Sequence, residues 1–363
     1  MNAKDILQDE ALTAVGSQKY AGVDMGTGTG KTILGLKHMT RLYNEGVLFL
    51  VVAPKSIHLE WVNQAQQNGF EFLIPHIQFT TYLSLYKQKH HFDYVYFDEC
   101  HNAKSKHADW IRVYNGPVLG MTGTYPRYAN SDAGLVASEF FPKVYTFNIK
   151  EAIKNNMLNN YKIYIHQLDL SSEKNIKTKS GYMSEQNSYD MYTRSVDNAK
   201  PAQSMMKRIM RMKAIQSFET KVTYAKALLN LQTDKTLLFA DFTDQADRLC
   251  DHSYHSKNSE SKKNLQMFKD GEITKLSSVL QIAEGANIPN LRVGIIMHAY
   301  ANEKKLRQKI GRFLRLAPND TAIIHILCYK NTVDKDWLKK ALLDFEPSKI
   351  FNYDIRKTTH LVQ

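Results

Sequence analysis

At 363 residues the chain is long for one domain and comfortable for two. Hydrophobic residues at 43% and aromatics at 11% fill two cores, which excludes a disordered tail or a fibrous repeat. The net charge of +12, spread along the chain, favours polyanionic partners, because each neutralised phosphate releases counterions. No apolar run approaches ~18 residues, and the start "MNAKDILQDEALTAV" lacks the apolar core of a secretory signal. Cys100, Cys250 and Cys328 lie far apart and form no CxxC pair, as in a reducing compartment. A cytoplasmic protein without a membrane segment is expected.

In chain order, "AGVDM" predicts a strand, "KTILGLKHMTRLYNEG" a helix, "VLFLVVAP" a strand and "SIHLEWVNQAQQNG" a helix. "HIQFTTY", "FDYVYFDEC" and "GPVLGMTGT" follow as strands. Short apolar runs ending at polar loops, with helices between, predict a parallel sheet buried on both faces: an α/β lobe over residues 1–145. The segment "FFPKVYTFNIKEAIKNNMLNN" is expected to carry the crossing to a second lobe, residues 146–363. There "YKIYIHQLDL", "KTLLFADF", "TKLSSVL", "RVGIIMHA" and "TAIIHILCY" read as strands, with "QADRLCDH" and "LRQKIGRFLRL" as helices. Residues 171–204 are polar and weakly periodic, an insertion that is either mobile or made of exposed helices. In "MMKRIMRMKAIQS" the methionines and isoleucines mark the face opposite Lys207, Arg208, Arg211 and Lys213, whose basic surface is either simply solvated or a DNA contact.

The stretch "YAGVDMGTGTGKT" carries the first chemistry. Gly26, Gly28 and Gly30 allow a tight turn that brings backbone N–H groups near phosphate oxygens, and the helix that follows adds its positive end. Lys31 would neutralise the β and γ phosphates and Thr32 would hold Mg²⁺. Met25 stands where the general phosphate loop has its first glycine. "YVYFDECH" ends a strand in two carboxylates, at the sheet edge where α/β ligands bind. Asp98 would bind Mg²⁺ through water, and Glu99 would orient and deprotonate the attacking water.

These motifs resemble those of superfamily 2 helicases and translocases. "DMGTGTGKT" is similar to their motif I, which drops the first glycine, and "DECH" to their DEAD/DEAH box. "MTGT" resembles motif III, and "VVAPKSIHLEW" and "FTTY" resemble motif Ia and the backbone-contacting segment after it. "QIAEGANIPNL" resembles motif V of the branch with restriction-enzyme motor subunits and the XPB and UvsW helicases, with Asn287 where aspartate is common. "QKIGRFLR" is similar to motif VI. The resemblance runs from about Gln8 to Leu316 in the family's motif order. It implies two RecA-like parallel-sheet lobes in tandem, with the ATP site in the cleft between them. It makes Gly26, Thr27, Gly28, Thr29, Gly30, Lys31, Thr32 and Gly285 nucleotide contacts, and Gln8 an adenine reader. Arg312 and Arg315 become arginine fingers at the γ-phosphate, with Gln308 a coupling residue.

The expected function is an ATP-dependent motor, with ATP and Mg²⁺ as cofactors, that moves along or remodels duplex or branched DNA. The alternatives are an RNA helicase of the same superfamily and a non-motor phosphate-loop scaffold. By resemblance Lys55, Thr81, Thr122 and Ser277 touch the nucleic-acid backbone without reading sequence. A monomer working beside replication or repair proteins, in a prokaryotic or phage-infected cell, is the expected setting. Tyr182, Tyr189 and Tyr192 are either core or base-stacking residues. Cys250, His252 and His255 are three zinc-ligand types, one short of a structural site.

Overall fold

The computed structural model describes residues 3–26, 28–126, 128–155, 157–179, 181–279, 288–300 and 303–354. The chain divides into two compact units: Met1–Asn159 with Ala317–Asn319, and Asn160–Leu316 with Asp320–Gln363. No helix among the described residues is long and apolar enough to cross a membrane.

In the first unit the described residues form strands β1 (Tyr20–Met25), β2 (Phe49–Val52), β3 (Ile77–Thr80), β4 (Tyr94–Asp98), β5 (Val118–Thr122) and β6 (Lys143–Phe147). They make one parallel sheet in the order β3-β2-β4-β5-β1-β6. Helices α1 (Ala3–Val15), α2 (Lys31–Leu42), α3 (Lys55–Gln67), α4 (Ser105–Tyr114), α5 (Asp132–Phe140) and α6 (Ile149–Lys154) accompany it. Every residue of β2, β4 and β5 is buried, as a sheet covered on both faces requires. The edge strands β3 and β6 keep a wet side, and β1 is half-buried at Tyr20 and Asp24. Phe97, Trp110, Ile111, Phe140 and Phe141 fill one side of this core.

The second unit holds β7 (Asn160–Leu168), the hairpin β8 (Ile176–Thr178) and β9 (Gly181–Met183), β10 (Thr236–Ala240), β11 (Ser253–Tyr254), β12 (Lys275–Val279), β13 (Val293–Ile296), β14 (Thr321–Tyr329) and β15 (Ile350–Asp354). All but the hairpin pair in parallel as β11-β12-β10-β13-β14-β7-β15. Its helices are α7 (Glu185–Asp197), α8 (Pro201–Ser217), α9 (Glu219–Asn230), α10 (Thr243–Leu249), α11 (Ser261–Asp270), α12 (Glu303–Gly311) and α13 (Val333–Ala341). Two RecA-like parallel-sheet lobes therefore stand in tandem along the chain.

Three details differ from the expectations. The segment expected to cross between lobes does so at Asn159–Asn160 but first supplies β6, whose Lys143–Phe147 pair with Gly22–Met25 of β1 and complete the first sheet; the expected limit after residue 145 falls within that strand. Residues 171–204 form the hairpin, α7 and the start of α8. The apolar side chains of α8 are the third difference: Met205, Met206, Ile209 and Met210 face solvent, while Lys207 and Arg211 are half-buried. Ile215 and Gln216, at the end of the helix, are what it buries.

Candidate nucleotide site

Because the first sheet is parallel, the loops leaving β1, β4 and β5 emerge at one edge, in the crevice where α/β sheets bind ligands. Beyond Gly26 and Thr27, the latter outside the described residues, Gly28 and Gly30 take φ of 86° and 91°. That left-handed backbone suits glycine and caps α2 at Lys31, so the helix's unpaired N–H groups and positive end open toward the loop. A Cβ at Gly30 would stand 2.5 Å from the Gln8 amide nitrogen. Gln8, on α1 and 3% exposed, donates that Nε2 to the Gly30 carbonyl at 3.3 Å, while its Oε1 is buried with no hydrogen-bond partner. Thr29 Oγ1 donates to the Gly26 carbonyl at 2.7 Å and closes the turn. Lys31 Nζ donates to the Met25 carbonyl at 3.3 Å and lies 3.8 Å from Glu99 Oε1. Thr32 begins the same helix, half-buried.

The second loop starts at Asp98, the buried last residue of β4. Its Oδ2 accepts a 2.9 Å hydrogen bond from Trp61 Nε1, and its carbonyl accepts one from the Tyr82 hydroxyl at 2.7 Å. Successive strand residues point to opposite faces, so an adjacent Asp and Glu would ordinarily diverge. Glu99 departs from the strand with φ 54° and ψ 52°, and this left-handed turn lets its carboxylate meet Lys31. Burial raises the Asp98 carboxyl, and the Glu99 charge adds to the rise against Lys31 and the Trp61 bond. Burial pushes Glu99 the same way, but Lys31, His101 and Thr122 together hold it below the ordinary carboxylate range.

The third loop is tied to the second. Thr122 Oγ1, at the end of β5, donates to Glu99 Oε2 at 3.1 Å and accepts the Thr124 backbone N–H at 3.0 Å. His101 Nδ1 stands 2.7 Å from Thr122 Oγ1, 2.9 Å from Thr124 Oγ1 and 3.2 Å from Glu99 Oε2. "DECH" and "MTGT" thus form one buried polar network around a single carboxylate.

In the second unit, α12 carries Gln308, half-buried, and leads directly into Arg312, buried, and Arg315, exposed. The turn is held by Phe313, whose ring packs on Gly294 of β13, where a Cβ would stand 2.3 Å from it. Lys309, between the motif residues, is fully buried at the carboxyl ends of β10 and β13. Its Nζ donates to the Tyr300 hydroxyl, which donates to Asp241, and it sits 4.8 Å and 4.6 Å over the Phe239 and Tyr300 rings. Burial lowers the Lys309 ammonium to about 8, with Asp241 opposing. Lys309 and Trp61 both lie inside motif stretches, "QKIGRFLR" and "VVAPKSIHLEW", that gave neither of them a role. A lysine among motif cations reads as surface, and a tryptophan on a helix reads as core.

Two residues expected at nucleic-acid contacts have buried side chains that are engaged within the protein. Thr122 is fully buried and committed to Glu99, and Ser277, on β12, is fully buried with its hydroxyl donating to the Ala246 carbonyl at 2.7 Å. Lys55, the exposed first residue of α3, and the half-buried Thr81 remain accessible. Gly285 and Asn287 lie outside the described residues. Tyr189 is a core residue whose hydroxyl accepts the Val333 N–H at 3.1 Å, whereas Tyr182 is exposed. The three zinc-type side chains are otherwise engaged: Cys250 with the Lys275 carbonyl, His252 with Asn264 and His255 with Asp247.

A strand–phosphate loop–helix, a carboxylate pair at the end of the next strand but one and a second parallel lobe define a RecA-like nucleotide-driven core. The family model "Type III restriction enzyme, res subunit" matches residues 5–127, and "Helicase conserved C-terminal domain" matches residues 220–317. The DNA 3'-5' translocase XPB2 of Sulfurisphaera tokodaii is 23% identical, over 90% of this chain and 82% of its own. Among solved structures, the ATP-dependent Type ISP restriction-modification enzyme LlaBIII bound to DNA is similar at TM-score 0.64 and 13% identity. That match covers 98% of this chain, which spans only 31% of the larger enzyme. S. cerevisiae Dbp5 bound to RNA and ADP BeF3 is similar at TM-score 0.60 and 12% identity, over 98% of this chain and 93% of Dbp5. The two family matches and the XPB2 relative together support a superfamily 2 helicase or translocase, an ATP-hydrolysing nucleic-acid motor.

Proposed function

We propose that this motor translocates on duplex or branched DNA, with Mg²⁺·ATP as its fuel. The observation that carries the chemistry is the half-buried Glu99, held on the Lys31 side by a left-handed turn and bonded to both the "DECH" histidine and the "MTGT" threonine. Motif likeness to XPB and restriction-enzyme motors, together with the XPB2 relative, supports DNA over RNA.

In this reading the Gly26–Gly30 backbone and Lys31 bind the phosphates, and Gln8 offers its partnerless Oε1 to the adenine amino group. Glu99, held ionised, takes a proton from the attacking water. Asp98 and Glu99 against one nearby lysine leave surplus negative charge beside the loop, and the Thr32 hydroxyl and Asp98 carboxylate are the hard oxygen donors that Mg²⁺ prefers. Bound there, Mg²⁺ would neutralise charge on the β and γ phosphates. Arg312 and Arg315 stabilise charge developing at the γ-phosphate, with Gln308 coupling the sites. Lys55 and Thr81 hold the DNA backbone.

The test is steady-state ATP turnover with single-stranded, duplex, forked and four-way DNA and with structured RNA. Duplex or branched DNA should stimulate most. Lys31→Ala and Glu99→Gln should abolish turnover, and Arg312→Ala or Arg315→Ala should lower it by about 10³-fold or more. Turnover indifferent to any nucleic acid would refute the motor assignment, and preferential stimulation by RNA would refute the DNA reading.

A further inference from the structure

Helix α8 presents its apolar stripe to solvent rather than to the protein. Met205, Met206, Ile209 and Met210 are 74, 69, 40 and 41% exposed, and their spacing places them on one face of a helix. The opposite face, with Ser204, Lys207, Arg211 and Ile215, is the one turned inward. An amphipathic helix laid on a core does the reverse, so this stripe has no partner within the described residues. Three methionines suit docking, since unbranched thioethers repack around different apolar contacts.

The charges around the stripe limit what covers it. Lys213 shares the exposed face and Arg208 flanks it, whereas Lys207 and Arg211 lie on the inward face. Helix α8 contains no acidic residue, and among the described residues none of its four cations forms a salt bridge. A second copy of this chain, docking by two-fold symmetry, would bring Lys213 and Arg208 against their own copies. Nucleic acid would use the cations but gains little from four long aliphatic side chains, and α8 has no aromatic ring on which a base could stack. An acidic amphipathic helix satisfies both features, its apolar stripe covering the methionines and its carboxylates meeting the flanking cations.

We propose that the solvent-facing side of α8 is a docking site for an acidic amphipathic helical segment of a partner protein.

Fluorescence polarisation on the full chain tests this without ATP or DNA, so its outcome is independent of the motor reading. The probe is a labelled synthetic peptide of about 20 residues with a leucine stripe flanked by glutamates; the control carries the same stripe flanked by lysines. The glutamate peptide should bind and the lysine peptide should not. Met206→Glu and Ile209→Glu should each weaken binding about tenfold or more while leaving the thermal midpoint in place. Lys213→Glu, a surface change safe for folding, should weaken the glutamate peptide as well. Equal binding of both peptides, or wild-type affinity in all three variants, would overturn the proposal. So would duplex DNA affinity that drops in the apolar variants while the peptide fails to bind, or self-association of wild type abolished by Ile209→Glu.

Discussion

Trp61 illustrates how one side chain sets the chemistry of another. Its indole N–H reaches Asp98 Oδ2 from α3, and its ring lies where a Cβ on Gly35 of α2 would come within 2.4 Å. Ring and glycine thus fix the direction of the N–H, and the N–H fixes one carboxylate oxygen of Asp98. Phenylalanine would keep the packing and leave that oxygen buried and unbonded, a loss of about 1.5–3 kcal/mol for a hydrogen bond to a charged group. Trp61→Phe should therefore lower ATP turnover about tenfold and raise the Mg²⁺ concentration needed for half-maximal rate, read from a metal titration of initial velocities. Lys309 gives a prediction with a sign. Its folded value of about 8 lies below the ordinary 10.5, so between these the unfolded chain binds the proton and the folded protein does not. Its contribution to stability therefore rises as pH climbs from about 8 to 10.5. The thermal midpoint of Lys309→Met relative to wild type should be highest near pH 7.5 and should fall by pH 9.5.

At the scale of elements, the ends of β4 and β5 act together. Thr122 donates to Glu99, accepts from the Thr124 N–H and stands 2.7 Å from His101 Nδ1, so Thr122→Val breaks these three contacts of a fully buried hydroxyl at nearly constant volume. Urea denaturation should show a loss of about 1–3 kcal/mol. ATP turnover should become less responsive to DNA, because the strand end no longer reports on Glu99. The phosphate loop was legible in the sequence because glycine, lysine and threonine at fixed spacing between a strand and a helix have few other uses. The carboxylate pair was legible for the same reason. The turn at Glu99 was not, since a positive φ on glutamate follows from what surrounds it and leaves no mark in composition. The edge strands β6 and β15 escaped because each is half-wet, so neither shows the unbroken apolar run of β2 or β13. The stripe on α8 was visible as a period but was assigned to the wrong side, because periodicity tells which residues share a face and not which way that face points.

For the molecule as a whole, two lobes of the same architecture hold different motif residues: the carboxylates, phosphate loop and Lys31 on the first, Arg312 and Arg315 on the second. The +12 charge serves both the polyanion expected along the lobes and the acidic segment proposed for α8. The methionines of that helix have one more consequence. Met205, Met206 and Met210 are open to solvent, whereas Met25, Met39 and Met121 are fully buried. A mild peroxide dose should convert the first three to sulfoxides while sparing the others, which peptide mass spectrometry would resolve residue by residue. Oxidation would turn an apolar stripe polar without touching the nucleotide site. The oxidation history of a preparation would then govern what α8 holds, while ATP turnover stayed the same.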